Sequence, residues 1–99
     1  MDKEQAVALA KEYLKLVRPY LKFDNAYLFG SYAEGRQHEH SDLDIGIIVH
    51  HIDDDYLETM KILYRIRRLL DVRIEPHLFV TSNDPTGFVD TVAATGLRL

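Results

Sequence analysis

The sequence predicts an α+β domain in which one sheet is flanked by helices. Three observations carry that expectation. Apolar residues recur near the 3.6-residue helical period in two long stretches, residues 2–21 and 56–70. Short, mainly apolar runs of strand length fall at 26–29, 43–49 and 72–80, each preceded by Asn or Asp. The run Leu43 to Val49 is apolar at nearly every position, as in a central strand covered on both faces. The element order is then α-β-turn-β-α-β-α-β. With 99 residues, and with no internal repeat or linker, one domain spanning 1–99 is expected.

The first helix presents Ala6, Leu9, Ala10, Tyr13, Leu16, Val17 and Leu21 on one side. Asp2 can cap it, with Gln5 three residues on. Pro19 should end or bend it near Arg18. Ala26-Tyr27-Leu28-Phe29 reads as a buried strand stopped by Gly30-Ser31. Residues 32–41 are polar and contain Gly35, so a turn is expected, with room for one helical turn after Ser31.

Asp53-Asp54-Asp55 opens the second long helix, where negative charge suits the positive end of the macrodipole. Tyr56, Met60, Leu63, Ile66 and Leu70 line one side of it. Val72 to Val80 is a third strand, and Pro76 marks an edge or a bulge. Asp84 is expected to cap a last helix with Pro85 at its first position. Phe88, Val89 and Val92 should face inward, Gly96 should stop that helix, and Leu97-Arg98-Leu99 suits a closing strand.

Composition narrows the function classes. Twelve Lys and Arg stand against 16 Asp and Glu, for a net charge of −4. A protein built to grip nucleic-acid backbone is usually basic, so nucleic acid is not the expected direct target. There is no cysteine, which excludes a disulfide framework and thiolate metal sites and fits a reducing cytoplasm. The N-terminus is charged and lacks the apolar stretch of a signal peptide. No apolar run approaches the roughly 20 residues of a membrane helix.

The stretch that carries chemistry is Leu28-Phe29-Gly30-Ser31, ten intervening residues, then Asp42-Leu43-Asp44. Asp42 and Asp44 alternate with Leu43 at a strand start. Period two puts both carboxylates on one face, with α-carbons roughly 6.5–7 Å apart. Side chains so spaced can converge on one Mg²⁺ or share two ions about 3.5–4 Å apart. Gly30 lets backbone approach a phosphate closely, and the Ser31 hydroxyl and following amides can donate to phosphate oxygens. Arg36 can add positive charge near a triphosphate. A third carboxylate would complete a metal cage. Glu75 lies mid-strand between Ile74 and Pro76, and Asp71, nearer the strand start, competes with it.

Gly30-Ser31, ten residues, Asp42-x-Asp44 resembles the motif of the polymerase-β-like nucleotidyltransferase superfamily. The longer text through Tyr32-Ala33 and Ser41 resembles its minimal nucleotidyltransferase (MNT) branch, with Ile74-Glu75-Pro76-His77 similar to that branch's third strand and Gly96-Leu97-Arg98-Leu99 to its closing strand. The resemblance implies a mixed, mainly antiparallel sheet flanked by helices. It implies Asp42, Asp44 and Glu75 as catalytic metal carboxylates for Mg²⁺, with two ions, and Gly30 and Ser31 as triphosphate ligands. The implied activity moves AMP from ATP to an acceptor hydroxyl. Many minimal members are antitoxins of toxin–antitoxin pairs, encoded beside a HEPN-domain ribonuclease toxin, and some adenylylate (AMPylate) a tyrosine of that toxin. Larger relatives carry a helical domain after the catalytic one, so here a second copy or a partner, a homo- or hetero-oligomer, is expected to close the site.

Each residue also has a plainer reading. Asp-x-Asp alone suits a solvated turn. Glu75 could pair with Arg73 or Arg67, and Arg36 could be an exposed loop cation. His77 can orient a carboxylate or simply pack. The five histidines show no regular pair that would hold zinc. Arg65, Arg67 and Arg68 suit a solvated helix face. At the level of function, the competing reading is a catalytically silent antitoxin or nucleotide-binding module that neutralises its partner by complex formation.

Overall fold

The computed structural model describes residues 1–30, 35, 42–53, 55–84 and 87–99. Helix α1 spans Lys3–Val17, strand β1 Asn25–Phe29, strand β2 Leu43–Val49 and helix α2 Tyr56–Leu70. Strand β3 (Ile74–Val80), a 3₁₀ turn (Thr81–Asn83), helix α3 (Phe88–Thr95) and strand β4 (Leu97–Arg98) follow. The strands form one sheet in the order β3-β2-β1-β4. β1 runs antiparallel to β2 and to β4, while β3 runs parallel to β2. This is the mixed, mainly antiparallel sheet the resemblance implies.

Local chemistry sets the ends of each helix. Asp2 accepts from the Gln5 amide and the Gln5 side chain reaches back to the Asp2 amide, a complete capping box. α1 stops at Val17 with Arg18 as its C-cap, where Pro19 was expected to end or bend it, so the periodic stretch to Leu21 is not helical to its end. Pro19 has no amide to continue the ladder, and Tyr20 and Leu21 both turn back to the Val17 carbonyl. Asp55 caps α2 by accepting from the Leu57 amide. β3 begins at Ile74, not Val72, because residues 72–73 turn around Asp71, whose carboxylate accepts from the Arg73 amide.

The last helix starts three residues later than expected, at Phe88. Gly87 sits at φ +66°, a left-handed conformation no helix can include, so the helix opens after it. Asp84 still serves the helix start, its carboxylate accepting from the Val89 amide at 3.2 Å. The expected N1 residue Pro85 lies outside the described residues.

α1 and α2 touch one another and cover one face of the sheet. There Ala10, Tyr13, Leu14, Val17, Leu63 and Ile66 pack on Ile45, Ile47, Val49, Ile74 and Leu78. Each fully buried Leu or Ile contributes about 1.5–3 kcal/mol. Tyr13 is fully buried, and its hydroxyl donates to the Leu63 carbonyl at 2.8 Å. Burial pushes that phenol far above its ordinary range, so it stays neutral and tethers α1 to α2. β2 is central and nearly continuously buried, and Pro76 sits on the edge strand β3, where its missing amide costs no ladder bond. Among the described residues no helix is long and apolar enough to cross a membrane.

Candidate active site

Alternation along the strands sends every second residue to the face away from α1 and α2. Register then builds rows across that face. Phe29, Asp44 and Glu75 stand abreast on β1, β2 and β3, and Tyr27, Gly46 and His77 form the next row. Strands pair about 4.8 Å apart, so Asp44 and Glu75 are immediate neighbours. Their chain neighbours Leu43, Ile45, Ile74 and Pro76 point the other way and are buried.

Asp44 is held at one oxygen. The His77 Nε2 lies 3.0 Å from Asp44 Oδ1. An ionised carboxylate only accepts, so the imidazole N–H donates. The other oxygen rests against Gly30, which ends β1 at φ +73°. A Cβ at position 30 would overlap Asp44 Oδ2 and push that carboxylate aside, and the backbone angle itself favours glycine. Ser31 and Arg36, the other two residues expected to bind phosphate, lie outside the described residues.

Asp42 is exposed at the entry to β2, two positions before Asp44. Among the described residues no hydrogen bond or ion pair engages the carboxylates of Asp42 or Glu75. The competing acid is differently placed. Asp71 ends α2, and its oxygens accept from Arg73 Nη2 at 2.7 Å and Nε at 3.0 Å. The Arg73 side chain holds the Asp71 carboxyl below its ordinary range. Arg67 turns inward, stacking over Tyr64 and donating to the Ile74 carbonyl, rather than standing in solvent. Both arginines that could have paired with Glu75 thus have other partners.

Rings line the same face. His77 meets Phe29 edge-on, with centroids 5.0 Å apart, and stacks on Phe79 at 6.3 Å. Phe88 of α3 closes on Phe79 at 5.5 Å and on Phe29 at 6.4 Å. Phe88 is nonetheless 43% exposed, less inward than its pattern suggested, whereas Val92 is buried as expected. Gly46 makes room for this cluster, since a Cβ there would come 3.0 Å from a Phe79 ring carbon. Sequence reasoning passed over Gly46 and Phe79. Period two from Glu75 would have put His77 and Phe79 on its face, and a glycine inside an apolar strand signals a close approach.

The donor set suits a hard divalent cation. Carboxylate oxygens are what Mg²⁺ prefers, and among the described residues two of these three carboxylates have no competing partner. Among the described residues no group of three or more acidic or histidine side chains is placed so that it could hold a metal ion. An open arrangement of a few carboxylates fits a cation that keeps several waters and shares substrate phosphates.

Comparison with known proteins gives the family. Residues 11–99 match the model of the family described as polymerase beta, nucleotidyltransferase. The chain belongs to that family and is a nucleotidyltransferase. It is 30% identical over 99 residues to a protein of Methanocaldococcus jannaschii provisionally named a protein adenylyltransferase, covering 96% of this chain and 99% of that one. A provisionally named nucleotidyltransferase from Sulfolobus solfataricus shares the fold, with a TM-score of 0.68 at 22% identity, over 97% of this chain and 80% of that one. A toxin–antitoxin crystallised with AMP-PNP gives a TM-score of 0.68 at 26% identity, over 90% of this chain and 70% of that one. A doubly substituted variant of the toxin–antitoxin MntA–HpeT gives 0.63 at 25% identity, with the same coverage.

Proposed function

We propose that this chain is a Mg²⁺-dependent adenylyltransferase that moves AMP from ATP onto a tyrosine hydroxyl of a HEPN-family toxin, and so acts as its antitoxin in the cytoplasm. The observation that carries the reading is the Asp44–Glu75 pair, abreast in register beside the Gly30 bend. Support for AMP as the group moved comes from the M. jannaschii relative named for protein adenylylation and from the AMP-PNP held by a similar toxin–antitoxin. The MntA–HpeT variant has two aspartates, two positions apart, replaced by glutamate, and Asp42 and Asp44 have that spacing here.

In this reading Asp42, Asp44 and Glu75 would hold Mg²⁺, as two ions, and Gly30, Ser31 and Arg36 would bind the triphosphate. Bound Mg²⁺ supplies neutralisation of phosphate charge and a lower pKa for the attacking hydroxyl. The acceptor oxygen forms its bond to the α-phosphorus in line, and the bond from that phosphorus to the bridging oxygen breaks. The hydroxyl proton passes to the Glu75 carboxylate, and pyrophosphate leaves with the electron pair. Catalysis is then mainly positioning and charge neutralisation, as for phosphoryl transfer in general.

The test is to mix the chain with the product of its neighbouring gene, ATP and Mg²⁺, and to weigh that product by mass spectrometry. A gain of whole AMP units is expected. A stable complex with no gain in mass would replace this reading with that of a silent binder.

A further inference from the structure

We propose that His77 is a positioning residue, whose Nε2–H fixes the Asp44 carboxylate for the metal–nucleotide complex. The inference rests on the reading of Asp42, Asp44 and Glu75 as metal carboxylates. It starts from the asymmetry at Asp44. One oxygen occupies the space a Cβ on Gly30 would take, and the other is held by the imidazole at 3.0 Å. That hydrogen bond restricts the carboxyl plane, which otherwise turns over a broad range about the last side-chain torsion.

The imidazole is itself fixed. Phe29 meets it edge-on at 62° and Phe79 stacks on it at 7°, and Phe88 leans on both phenyl rings from α3. A ring clamped this way has little freedom to turn, so its N–H direction is set before anything binds. The hydrogen bond itself lies partly in solvent, with side-chain exposures of 36% for His77 and 26% for Asp44. A bond that open contributes little to folding. Phe29 of β1 and Phe79 of β3 nonetheless hold the imidazole, with Phe88 of α3 against both, and the imidazole in turn holds one carboxylate. That arrangement fits orientation better than stability. Partners that orient metal ligands in this way commonly contribute about 10–100-fold in metal affinity.

Three substitutions separate the hydrogen bond from the packing. His77→Phe keeps a ring between Phe29 and Phe79 but has no donor. His77→Gln loses the ring but carries an amide N–H at about the reach of Nε2. His77→Asn has the same amide one methylene short of Asp44. Calorimetric titration with Mn²⁺–AMP-PNP, beside thermal melts, reads all three against the wild type and Asp42→Asn.

The expected result is that His77→Phe and His77→Asn bind about tenfold more weakly, while His77→Gln stays within about threefold of wild type. Should His77→Phe fail to fold, the Gln and Asn pair carries the same comparison. Wild-type affinity in the Phe and Asn variants would overturn the positioning role and leave the carboxylate reading standing. So would loss in the Gln variant with retention in the Phe variant, which would mark His77 as packing alone. Equal binding by wild type and Asp42→Asn would instead overturn the carboxylate reading and the role of His77 with it.

Discussion

The two faces of this sheet differ by one residue along each strand, yet they carry opposite chemistry. On the face under α1 and α2, Leu43, Ile45, Ile47, Ile74 and Leu78 are almost completely buried. On the other face Asp44 and Glu75 share a row, with His77 and Gly46 in the next. The first face is dry and interchangeable in chemistry as long as volume is kept. The second is partly open, charged, and dependent on single atoms. Parity along β2 and β3 therefore separates what holds the chain together from what it does, and substitutions of adjacent residues should fail in different assays.

The sharpest break of that comparison is Asp44→Asn. Transfer should fall by more than about a hundredfold, since even groups one contact removed from a metal contribute 10–100-fold. Stability should stay within about 0.5 kcal/mol of wild type, read by urea denaturation. The adjacent substitution Ile45→Ala should do the reverse. It should cost about 2–5 kcal/mol by the same denaturation, because Ile45 is fully buried, while the folded fraction keeps its activity.

Gly30→Ala tests the contact between strand end and carboxylate. It forces a side chain into left-handed backbone and onto Asp44 Oδ2. A loss of about 1–3 kcal/mol together with loss of transfer is expected. Intact activity in a stable Gly30→Ala protein would show that Asp44 need not lie where it does.

Asp71 sharpens the distinction between the two candidate carboxylates. Arg73 lowers its pKa from the ordinary 3.8, so the folded state binds that proton less tightly than the unfolded state. The resulting stability is present above the ordinary carboxylate range and is lost as pH falls below about 3.8. Asp71→Asn should flatten the acid limb of the stability profile, measured by melting between neutral and acid pH, and leave transfer unchanged. Glu75→Gln should do the opposite.

Much of this was legible in the sequence because it rests on local periods. The alternation Asp42-Leu43-Asp44 and the apolar run through Val49 marked β2 as central with acids at its start. The boundaries were less legible. Gly87 in a left-handed conformation delayed α3, and the Asp71–Arg73 turn shortened β3. Neither the conformation a glycine adopts nor the partner an aspartate takes is written in spacing. The choice between Glu75 and Asp71 needed register, which pairs Glu75 with Asp44 and leaves Asp71 with Arg73. The bond from His77 to Asp44 spans 33 residues and depends on parallel pairing that composition does not reveal.

The most direct measurement is the anomalous scattering of Mn²⁺ in crystals of the chain grown with Mn²⁺ and AMP-PNP. The account predicts manganese beside the carboxylates of Asp42, Asp44 and Glu75, on the sheet face away from α1 and α2. Nucleotide bound elsewhere, with no manganese within ligand distance of Asp44, would contradict it.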